Sequence, residues 1–189
     1  MQIVVTRIDA NRYSTLVERD DGVKLRVPGY GFMRALPHDL AHYAVESTLR
    51  LDRGFWGSVA TGAKLSGMAL IAGRQKPHAT EQGHAIAKQN AAALSQAERL
   101  VACFEKIVDS RLDQRPHLAE ARLREANAIF GPQARVVTRS EIAEVCAAWR
   151  SMQARWDSLA VGDGLRIDWP AARIRSRAAP AEAPQRGTS

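Results

Sequence analysis

Only two cysteines occur in the 189 residues, Cys103 and Cys146, and both sit inside apolar, helical patterns. That count excludes a four-cysteine zinc site. The placement argues against a disulfide framework, so both are expected to be buried thiols. Long apolar runs are also missing. The least polar window, Gly54 to Gly73, carries Lys64, five glycines and few large aliphatic residues, which does not suit a bilayer span. The first residues, MQIVVTRID, run directly into charge, without the apolar stretch and small-residue cleavage site of a secretory signal. A cytoplasmic location is the expectation. No G-x-S-x-G elbow is present, and neither cysteine has a histidine beside it in sequence, so nothing supports a nucleophilic Ser or Cys. The segment GSVATGAKLS, Gly57 to Ser66, falls short of the phosphate pattern G-x-x-x-x-G-K-[ST], because Ala63 is inserted before Lys64 and Leu65 before Ser66. Nucleotide binding is not expected.

An apolar fraction of 46% is ample for a packed core. The formal charge of +7 owes much to the tail, where Arg173, Arg175, Arg177 and Arg186 stand against Glu182 alone; without residues 171–189 it falls to +4. This Ala/Pro/Arg segment cannot bury a core and is expected to be a disordered basic tail, able to add only non-specific phosphate contacts. No groove-reading motif accompanies it.

The remaining chain, 1–170, reads as a single α+β domain. Residues 2–28 alternate like a β-meander of three strands, with Asp21-Gly22 as a hairpin turn and Gly29-Tyr30-Gly31 as the break that ends it. Pro37 sits where a helix begins, and a helix over about 37–50 follows. Residues 80–112 carry an apolar seam of Ala93, Ala97, Leu100, Phe104 and Ile107. A helix over about 116–130 and a short strand at 135–137 lead to a capping box, Thr138 with Glu141. The next helix repeats Ile142, Val145, Trp149, Met152, Trp156 and Leu159 at heptad spacing, and the two seams are expected to pack as a long antiparallel helical hairpin within 80–159. Residues 165–169 can return as a strand beside the meander.

Against this background one short stretch stands out. LPHDLAHYAVE, Leu36 to Glu46, places His38 and His42 four residues apart, on one edge of a helix. Two neutral imidazoles at that spacing can share a metal, zinc first, with iron or manganese as alternatives. The pattern H-D-x-x-H resembles the metalloprotease motif H-E-x-x-H with the acid one methylene shorter. The likeness covers five residues and departs at the acid that would act as base, so no protease activity is carried over. Asp39 and Glu46 are the candidate catalytic carboxylates, placed further round the helix toward solvent. Glu46 lies eight residues beyond His38, about 12 Å along the axis, too far to share its metal. Another segment must supply a third ligand, and His78, Glu81 and His84 are the expected source. A variant pairs the acid-x-x-His units Asp39–His42 and Glu81–His84, as in ferritin-like bundles.

Two function classes follow. One is a metal-binding cytoplasmic protein, extending to a metal-dependent hydrolase. The other is a non-catalytic module in which the helical hairpin dimerises or grips a protein partner, with the histidines packed structurally at the junction of sheet and helix. Glu98, with Arg99, Glu105, Lys106, Asp109, Arg111 and Arg115, reads as part of a solvated mixed-charge face.

Overall fold

The computed structural model describes residues 1–29, 36–74 and 77–170, and the α+β class is borne out. Five strands form one antiparallel sheet: β1 (Gln2–Arg7), β2 (Tyr13–Glu18), β3 (Lys24–Val27), β4 (Ala69–Ala72) and β5 (Gly164–Asp168). Their spatial order is β4-β3-β2-β1-β5. The meander is therefore the centre of the sheet, and β5 returns beside β1 with Ile3 opposite Ile167. Alternation decides the buried face. Ile3, Val17 and Leu25 form one inward row across the strands, and Val5, Thr15 and Val27 form the next. Thr15 is thus a buried hydroxyl in an otherwise apolar row, and it needs a partner.

Among the described residues six α-helices pack with the sheet: α1 (His38–Leu49), α2 (Phe55–Ala60), α3 (Ala79–Gln89), α4 (Ala91–Asp109), α5 (Pro116–Asn127), which lies on α4 and α6, and α6 (Arg139–Asp157). Pro37 caps α1 from outside, its carbonyl accepting from the Ala41 amide. The capping box of Thr138 and Glu141 starts α6. Both apolar seams are buried within the chain's own core, with Trp156 fully enclosed and Phe104 likewise. They do not form a simple hairpin, however. α6 packs chiefly on α1, and α4 also contacts α1 more than it contacts α6. The reason is that α1 is apolar on more of its circumference than one stripe, with Leu40, Ala41, Ala44, Val45 and Leu49 all buried.

Two local expectations change. The pattern over 80–112 is broken at Asn90, which ends α3 and starts α4; its buried side-chain amide donates to Ser58 Oγ at 3.0 Å. Residues 135–137 form no strand, because they run straight into the α6 cap and pair with no sheet edge. The least polar window divides into α2 and β4. The break at Tyr30-Gly31 and the tail from residue 171 lie outside the described residues. Among those described, no helix is long and apolar enough to cross a membrane.

Candidate metal centre

α1 begins at His38, so His38, His42 and Glu46 rise along one side at successive turns. α4 crosses beside them and brings Glu98, two turns from its own start. The three ligand atoms form a nearly regular triangle. His38 Nε2 lies 3.2 Å from His42 Nε2, and Glu98 Oε2 lies 3.3 Å from the first and 3.2 Å from the second. An ion about 2.1 Å from each corner would sit about 1 Å above that plane, with angles near 100° between its ligands. Tetrahedral zinc needs ligand atoms about 3.3 Å apart. Among the described residues this is the group of three or more His, Cys, Asp or Glu side chains able to converge on one ion.

Burial differs sharply across the triangle. The His42 side chain is 2% exposed, whereas His38 and Glu98 are 43% and 54% exposed. The cluster therefore has a buried back and an open front. The back is Glu46, which is fully buried and accepts from His42 Nδ1 at 2.7 Å. That bond leaves Nε2 as the lone-pair nitrogen of the neutral ring, facing Glu98 and His38. Glu46 is itself held: the Phe55 amide donates to Oε1 at 2.8 Å and the Trp56 amide to Oε2 at 3.0 Å. These are orphan donors of the first turn of α2. Gly54 is required by this packing, because a Cβ there would stand 2.6 Å from the Glu46 carboxyl carbon. The Phe55 ring also leans on His42, with centroids 5.4 Å apart.

The electrostatics follow from the same contacts. Burial favours the neutral form of His42, but hydrogen bonds and charge from Glu46 and Glu98 outweigh it and lift its pKa to about 9. Hydrogen bonds from His38 and then His42 hold Glu98 well below the usual carboxylate range. Without metal, a proton on His42 thus stands where an ion would bind.

Asp39 and Glu46 do not turn toward solvent, contrary to the sequence expectation. Sheet and helices enclose α1 so fully that both acids are buried and separately compensated. Thr15 Oγ1 donates to Asp39 Oδ2 at 2.5 Å, which meets the need of the buried hydroxyl on β2. Burial raises the Asp39 pKa despite that bond. Trp56 Nε1 donates to the Asp39 carbonyl at 3.0 Å and locks α2 onto α1.

His78, Glu81 and His84 lie at the exposed start of α3, where His78 Nδ1 and Glu81 Oε2 pair at 3.0 Å; none joins the triangle. The two acid-x-x-His units are accordingly not brought to one centre. The third member is instead Glu98, read from sequence as solvated. Its only signal was position: it follows the seam residue Ala97 and precedes the buried Val101 by three, at the seam's border. Cys103 and Cys146 are buried, unpaired thiols, and burial pushes both up to about 11. Comparison with protein-family models, with curated proteins and with solved structures finds no match for this chain, so its function is read from its own geometry.

Proposed function

We propose that the protein binds one divalent transition metal, zinc in the first instance, through His38 Nε2, His42 Nε2 and Glu98 Oε2. The observation that carries this reading is the 3.2–3.3 Å triangle backed by the buried His42–Glu46 pair. A ligating histidine whose other nitrogen is fixed by a carboxylate is the arrangement metal sites use to set tautomer and ring orientation. Three protein ligands leave a fourth position for water on the open side, where metal lowers the water's pKa toward 7, as hydrolysis requires. We assign the protein to metal-dependent hydrolysis as its chemical class.

The carboxylates then divide their roles. Glu98 is a ligand, and Glu46 positions His42. Asp39, which occupies the place of the zincin base, is turned to Thr15 and has no role in moving protons at the front of the site. Elemental analysis of protein purified without a histidine tag, beside His42→Ala and Glu98→Ala, tests the assignment. Near-stoichiometric metal that is lost in both variants supports it, and an ester and phosphodiester panel then tests hydrolysis. Wild-type protein that stays metal-free after incubation with zinc, iron(II) or manganese overturns it.

A further inference from the structure

A second site lies at the other end of α2, where the helical layer stops short of the sheet edge. The cleft there has a volume of about 250 Å³. Its floor is apolar: Val23 and Leu25 from the sheet, Met68 and Leu70 at β4, and Ile86 from α3. Leu70 is 48% exposed although it stands opposite the buried Leu25, so the sheet's inward face is left uncovered at this edge. The rim is cationic. Arg19, Lys64 and Arg74 all line it, against the single carboxylate of Asp21.

The rim is also built rather than merely charged. Arg19 pairs with Asp21 through both nitrogens of its edge, one bond being Nε to Oδ1 at 3.1 Å, which satisfies that acid. Lys64 and Arg74 have no ion-pair partner among the described residues. The Lys64 amide donates to the Gly83 carbonyl at 3.1 Å, fixing the residue against α3. Only glycine allows this approach, because a Cβ at Gly83 would stand 2.9 Å from both the Gly62 carbonyl oxygen and Lys64 Cβ. The interrupted G-x-x-x-x-G-x-K segment noted in the sequence therefore does form one wall of a cleft, though not a nucleotide loop. None of the cleft's lining residues belongs to the metal cluster.

We infer that this cleft binds a small organic anion, a carboxylate or phosphate ester with a short apolar body, head group toward Lys64 and Arg74 and body on the Leu25–Leu70 floor. Two unpaired cations beside an exposed apolar floor complement that chemistry: the head replaces water with charge-assisted hydrogen bonds, and the body covers Leu70. A volume of about 250 Å³ holds roughly a dozen non-hydrogen atoms, below the size of a nucleoside triphosphate.

Calorimetric titration of the full-length protein with octanoate, phenyl phosphate, acetate and inorganic phosphate tests this. Octanoate or phenyl phosphate should bind saturably and at least about tenfold more tightly than its small counterpart, since each buried methylene is worth severalfold in affinity. Which of the two leads identifies the head group. Lys64→Gln and Arg74→Gln should each weaken that binding about tenfold, with unchanged thermal melting and metal content. Arg74 is exposed, so its variant remains informative if Lys64→Gln should fold poorly. Absence of saturable binding up to 10 mM, about the weakest useful affinity, overturns the inference. Binding that neither variant alters does the same.

Discussion

Two helix starts in this protein carry a pair of histidines with an acid at helical spacing, and they come to different ends. On α1, His38 and His42 are followed by Glu46; on α3, His78 and His84 flank Glu81. On α1, His42 and Glu46 are enclosed while His38 stands at the open front, and the Glu46 carboxylate behind His42 is held by the Phe55 and Trp56 amides. On α3 only Gly83 is buried, and the His78–Glu81 pair has side chains 71% and 79% exposed. Spacing alone lets two imidazoles meet. The proposed site differs by the backing that would fix a ring before an ion arrives: His42 has it in Glu46, and the α3 histidines do not have a buried one.

The largest effect should come from removing the backing itself. Glu46→Ala leaves the His42 Nδ1 proton and the Phe55 and Trp56 amides without an acceptor in a closed interior, and a cost of about 3–5 kcal/mol is expected. Urea denaturation measures it, and a loss under about 1 kcal/mol would show that α1 does not depend on this carboxylate. Gly54→Ala attacks the same group more gently. The backbone there is ordinary for alanine, with φ −68, so the penalty arises only from the methyl group displacing Glu46. A destabilisation of about 1–3 kcal/mol is expected, with zinc affinity lowered roughly 10- to 100-fold. Unchanged affinity in a chelator competition assay would mean that Glu46 does not orient His42.

Why α1 could be picked out in the sequence and its partner could not is a matter of range. His38, His42 and Glu46 are related by helical periodicity, and the strand alternation of residues 2–28 fixed the inward face that later receives Asp39. Glu98 is 56 residues beyond His42, and nothing local says that α4 rather than α3 passes the histidine edge. The same limit explains the two acids. Helical angle placed Asp39 and Glu46 away from the apolar stripe, but Thr15 and the amides of α2 reach them from elsewhere in the chain and make burial tolerable. The turn at Asn90 was hidden for a similar reason, since its partner Ser58 lies on α2.

Titration sharpens the contrast with an effect of about the size of the Gly54→Ala change. With metal stripped, His42 binds its proton more tightly folded than unfolded, its pKa being about 9 against an ordinary 6.5. The stabilisation is therefore complete below pH 6.5 and is lost as pH rises through 9. Metal-free protein should lose about 1–3 kcal/mol of stability between those values. Glu98 works in the other direction: its lowered pKa contributes stability above its ordinary range and loses it on acidification. With zinc bound the alkaline decline should vanish, because metal binding replaces those protons and strengthens as they leave. Equal urea midpoints at pH 6 and pH 9 in the presence of chelator would contradict the coupling of His42 to its two carboxylates.

The smallest effect belongs to α3, and its smallness is what makes the comparison decisive. His78→Ala and His84→Ala remove two of the protein's five histidines, the same number as removing both proposed α1 ligands. If metal binding followed histidine count or local spacing, either pair of changes would lower metal content alike. The geometry instead expects the α3 double variant to keep its full zinc content, because the His78–Glu81 pair is solvated on both partners and the triangle is complete without it. Its stability should fall within about 0.5 kcal/mol of the parent, as for other solvated surface positions. Elemental analysis of this variant beside His38→Ala/His42→Ala reads both arms at once. Metal lost from the α3 variant would move the ligand set to the helix that the burial pattern leaves unsupported, and would show that backing is not what selects a site in this fold.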